Sequence, residues 1–170
     1  MSGLNLEELK FELSKLINST EYLSLKGSEE KIKYLYALVD KASVDTVGDV
    51  TVLYSGNIDG ASSNNIVKSI KDISIIDNTA AAEFLSSDEF MKAYAETKGY
   101  DVKELRNAPR DSEIGKFRGQ LYHGTDGPWA TTSKRFVEAT TGEVRIISSL
   151  DANKNGVFAL TEMEALKSNT

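Results

Sequence analysis

The most regular spacing of oxygen-bearing side chains lies in residues 151–162, the segment DANKNGVFALTE. Asp151, Asn153 and Asn155 occupy positions 1, 3 and 5, Gly156 position 6 and Glu162 position 12. That is the order of ligands and turn in a calcium loop, which holds a hard cation through oxygen alone. Three features count against that use. The two Asn residues bring no charge, residues 143–147 favour strand where the motif needs an entering helix, and no second loop of the kind occurs. The segment therefore has two readings: an EF-hand-like calcium loop, or a glycine turn and a carboxylate serving another chemistry.

Composition limits what that chemistry is. With no cysteine the chain has no disulfide, thiolate metal site or cysteine nucleophile, and His123 alone excludes any site built from two histidines. Carboxylates, hydroxyls and aromatics are left. The balance of 20 basic and 26 acidic side chains argues against a phosphate-backbone footprint, hence against nucleic acid as a partner. No apolar run approaches the ~20 residues of a membrane span, and the first residues lack the blocks of a signal peptide.

The elements that must position these groups follow from periodicity. Leu6, Leu9, Leu13, Leu16 and Ile17 recur at helical spacing behind Asn5, with Glu8 placed to complete a capping box. A second helix opens at Ser28 and carries Ile32, Leu35, Tyr36, Leu38 and Val39. Residues 50–54 read as a strand ending at Ser55-Gly56, residues 62–70 as a helix and residues 73–76 as a second strand. Helices are expected after Thr79 through Leu85, and from Ser87 to the Gly99 stop. Residues 100–128, with several Gly and two Pro, read as a long loop forming one wall of a site. Pro128 suits the first turn of a helix bearing Trp129, Ser133, Phe136 and Val137 and ending at Gly142, and residues 143–147 read as a third strand.

A wider window gives the second reading of the C-terminal segment its content. Trp129, Ser133 and Phe136 lie on one helix, followed by Gly142-Glu143-Val144 and then by Phe158-x-x-x-Glu162-x-x-x-Leu166. Upstream stand Leu53-Tyr54-Ser55-Gly56 and Ile76-Asp77-Asn78-Thr79. In motif, order and spacing these pieces resemble the ADP-ribosyl cyclase / NAD glycohydrolase family, over roughly residues 48–167. Tyr54 stands where that family has Trp, and Asp77 where it has Glu. Its animal members carry disulfides that this cysteine-free chain does not.

The resemblance implies a function and a site. The activity is NAD+ glycohydrolysis: cleavage of the nicotinamide–ribose bond to nicotinamide and ADP-ribose, with some cyclic ADP-ribose allowed. NAD+ is the substrate, and neither cofactor nor metal is implied. By this resemblance Glu162 stabilises the developing oxocarbenium ion and holds the ribose hydroxyls. Trp129 stacks on the nicotinamide ring, and Asp77 influences the partition between hydrolysis and cyclisation. Ser133 would hydrogen-bond near the nicotinamide ribose. Gly156, Val157 and Phe158 would offer backbone N–H groups to the pyrophosphate, with Ser55 and Gly56 adding more at a strand end beside Tyr54.

The implied fold is α/β: an N-terminal helical lobe over residues 1–48, packed on a small Rossmann-like parallel-sheet lobe over residues 49–170 that carries the site. Freedom from cysteine suits a chain that refolds in a reducing cytoplasm. In this the chain resembles bacterial toxin domains of the contact-dependent growth inhibition type, delivered as part of a larger secreted protein. A cognate immunity protein is then the expected partner.

Overall fold

The computed structural model describes residues 3–45, 50–55, 57–58, 61–62, 73–74, 78–122, 127–139 and 143–148, with the strand residues of 50–74 and 143–148 described as backbone only. The chain divides into two units. Residues 1–43 and 80–121 form one, and residues 44–79 and 122–170 the other. Residues 80–121 thus group with the N-terminal helices, whereas a contiguous boundary near residue 48 would have put them with the rest of the chain.

The first unit is helical, and five of its seven described helices start at a capping side chain. They are α1 (Leu6–Ile17), α2 (Thr20–Leu23), α3 (Ser28–Val39), α4 (Ala80–Leu85), α5 (Asp88–Glu96), α6 (Val102–Asn107) and α7 (Glu113–Gly119). Asn5 and Glu8 close the capping box on α1. Ser19, Ser87, Asp101 and Ser112 each accept a backbone N–H in the first turn of α2, α5, α6 and α7. Acidic residues follow in the first turns, where the helix dipole favours them. The two stretches of this unit are joined where the Ala81 N–H donates to the Ser43 carbonyl at 3.0 Å.

Leu9, Leu13, Leu35, Val39, Phe84 and Leu85 are buried in this core. An aromatic series continues it: Phe84 meets Phe90 edge-on at 5.3 Å, and Tyr94 stacks on Phe117 at 4.3 Å with planes 7° apart. Each such side chain contributes about 1.5–3 kcal/mol by leaving water. The Tyr94 hydroxyl, inside this core, donates to the Phe117 carbonyl at 2.7 Å. Burial, with Tyr36 alongside, pushes the Tyr94 phenol far above its ordinary range.

Two expectations need correction. Residues 100–128 do not form a long loop, because α6, α7 and the start of a later helix lie within them. Asp101 and Ser112 cap these short helices, and Leu105, Phe117 and Leu121 anchor them in the core. Arg118 fastens α6 at its C-terminal end, its guanidinium donating to the carbonyls of Leu105, Arg106 and Ala108 at 2.8–3.1 Å. The larger correction concerns fold class. The described structure is mostly helical, and this overturns an α/β fold built around a Rossmann-like parallel-sheet lobe. Capped, amphipathic segments build the larger part of the described core, while strand pairing is confined to short backbone ladders.

Those ladders belong to the second unit. They comprise β1 (Val50–Ser55), β2 (Asn57–Ile58), β3 (Ala61–Ser62), β4 (Ile73–Ser74) and β5 (Glu143–Ser148). β1 pairs in parallel with β5 along its whole length, Val50 opposite Glu143 and Ser55 opposite Ser148, and with the two residues of β4 on its other edge. β2 and β3 pair antiparallel, so Ser62 lies in a strand; the rest of the helix expected over 62–70 lies outside the described residues. The unit's described helix is α8 (Pro128–Glu138), with Pro128 in its first turn and Ala130, Phe136 and Val137 buried.

Candidate functional site

Two of the ten residues assigned to a site from sequence are described with their side chains, and both sit on α8. Trp129 enters the helix directly after Pro128, whose fixed φ suits a first turn. Ser133 follows four residues later, one turn along the same face. Tyr54 and Ser55 lie at the end of β1, opposite Ile147 and Ser148 of β5. The structure therefore brings Tyr54, Ser55, Trp129 and Ser133 into one unit. Gly56, Asp77, Gly156, Val157, Phe158 and Glu162 lie outside the described residues, as do His123 and the whole calcium-like loop. Among the described residues no group of His, Asp and Glu is placed to hold a metal ion.

The polar groups of α8 are the unusual feature. Thr132 and Ser133 are fully buried, yet Thr132 Oγ1, Ser133 Oγ and Trp129 Nε1 find no hydrogen-bond partner among the described residues. The neighbouring Thr131 shows the ordinary arrangement, its hydroxyl donating to the Pro128 carbonyl at 3.1 Å. A buried donor or acceptor without a partner costs about 1–3 kcal/mol, and three such atoms on one helix face carry a cost that a hydrogen-bonding group brought against them would remove. At 100° per residue, Thr132 and Ser133 flank the direction of Trp129 at roughly 60° to one side and 40° to the other.

Tyr122 adds an aromatic plane that the sequence did not single out. Its ring lies 5.9 Å from that of Trp129, with planes 19° apart, and it remains 39% exposed. Thr132 was likewise missed. Its spacing of three from Trp129 was legible, but its lack of a partner is a tertiary fact.

Comparison with protein-family models, with curated proteins and with solved structures found no match.

Proposed function

We propose that this chain is an NAD+ glycohydrolase. The observation that supports the reading best is the face of α8, where an aromatic plane and buried hydroxyls without partners stand one turn apart. A nicotinamide ribosyl group asks for that combination, a flat cation to stack and polar substituents to bond. In the proposed reaction the bond from ribose C1′ to the pyridinium nitrogen breaks, and its electron pair leaves with neutral nicotinamide. Glu162 stabilises the positive charge left on the ribose. Water then adds to C1′ and loses a proton, giving ADP-ribose. Trp129 holds the departing ring and Ser133 the ribose. Ser55, Gly56, Gly156, Val157 and Phe158 supply pyrophosphate contacts beside Tyr54, and Asp77 biases water against the adenine nitrogen as the acceptor.

In the setting proposed, the domain depletes NAD+ in the cytoplasm of a target cell, and its producer protects itself with an immunity protein. No helix among the described residues is long and apolar enough to cross a membrane.

The spacing of residues 151–162 supports a second reading, an EF-hand-like calcium loop. Two measurements on the same protein separate the readings. Chromatography of NAD+ incubated with micromolar protein should show nicotinamide and ADP-ribose, and calorimetry with calcium should show no tight binding. Tight calcium binding without NAD+ turnover would reverse the choice.

A further inference from the structure

We propose that Thr132 is a substrate-contacting residue: its hydroxyl hydrogen-bonds the carboxamide of the ring that Trp129 stacks. This rests on the NAD+ reading of the same helix face. Thr132 is fully buried and its Oγ1 has no partner among the described residues, although Thr131 beside it bonds back to its own helix. A threonine whose hydroxyl met only apolar surroundings would be worse placed there than valine of the same shape, because the hydroxyl loses water and gains nothing. A ligand group that both accepts and donates removes that cost. A carboxamide does both, through its carbonyl oxygen and its amide N–H groups. Thr132 and Ser133 flank Trp129 on opposite sides, so one ring stacked on the indole can direct its carboxamide to Thr132 and its ribose to Ser133.

Trp129 is the chain's single tryptophan, so its fluorescence reports this face alone. The experiment is stopped-flow quenching by NAD+ of wild type, Thr132→Val and Thr132→Ser, with thermal unfolding of each. Nicotinamide release is measured on the same samples. The expected result is saturable quenching in wild type and about tenfold weaker affinity in Thr132→Val, the worth of one hydrogen bond. Thr132→Ser should restore affinity to within about threefold, and Thr132→Val should unfold at or above the wild-type temperature. Equal affinity in wild type and Thr132→Val overturns the proposal. So does a Thr132→Ser variant as weak as Thr132→Val, or a wild type that shows no saturable quenching. Nicotinamide release with unchanged Thr132→Val affinity leaves the enzyme reading standing and removes Thr132 from it. Weakened Thr132→Val binding without nicotinamide release does the reverse.

Discussion

Tyr122 lies against Trp129 with ring centroids 5.9 Å apart and planes 19° from parallel. Tyr122 precedes α8 and Trp129 is the second residue of that helix, so the stack orients the indole from outside its own helix. A tryptophan so braced has fewer orientations to lose when a ligand ring comes against it.

Removing the brace should therefore weaken substrate binding more than turnover. Tyr122→Leu is expected to raise the KM for NAD+ by about two- to tenfold, the range of an aromatic pair, with kcat little changed. Tyr122→Phe keeps the ring and should stay near wild type. Steady-state kinetics of the two variants provide the check, and an unchanged KM in Tyr122→Leu would remove Tyr122 from the site.

The helical unit makes its own prediction at Tyr94. Its hydroxyl donates to the Phe117 carbonyl at 2.7 Å inside the core, so Tyr94→Phe leaves that carbonyl short of a partner. A loss of about 1–3 kcal/mol in urea unfolding is expected, with the slope of the transition unchanged.

The same pair sets an alkaline limit. Tyr94 and Tyr36 are both raised above the ordinary value of 10.0, chiefly by burial. Below that value both states keep the protons and these groups add no pH dependence. Above it the unfolded chain releases protons that the folded protein retains, so stability falls as pH rises. Unfolding midpoints measured at increasing pH should decline from about pH 10 upward. The decline should be shallower in Tyr94→Phe.

Two glycines should respond differently to a methyl group. A Cβ on Gly115 would stand 1.8 Å from the Pro109 carbonyl oxygen, so backbone must move to admit it. A Cβ on Gly99 would meet nothing within 4 Å, and only its φ of 74° opposes substitution. Gly115→Ala should cost about 3 kcal/mol and Gly99→Ala about 1 kcal/mol. Denaturant midpoints giving the opposite order would contradict the close approach of α7 to Pro109.

How much of this was legible depended on whether the signal was local. Asn5 and Glu8 fixed the start of α1, Ser87 that of α5 and Pro128 that of α8, because each cap is written within four residues. Residues 100–128 misled because α6 and α7 are only six and seven residues long, too short to display a period. Their glycines are helical in part: Gly115 is buried where α7 passes the Pro109 carbonyl. The short apolar runs at 50–54 and 143–147 suggested a parallel-sheet lobe, yet the described structure is mainly helical. At the site, the spacing of Trp129 and Ser133 was readable. The stack of Tyr122 on Trp129 and the unpartnered Thr132 hydroxyl were not, since both depend on what tertiary packing brings near.

Cleavage of the nicotinamide–ribose bond with Glu162 stabilising the ribosyl cation is tested by measuring nicotinamide release from NAD+ by wild type and Glu162→Gln at equal concentration. Steady release by wild type is expected, with a loss of at least about a hundredfold in the variant, the scale of removing one transition-state charge partner. Equal release by the two proteins, or none from wild type, would contradict it.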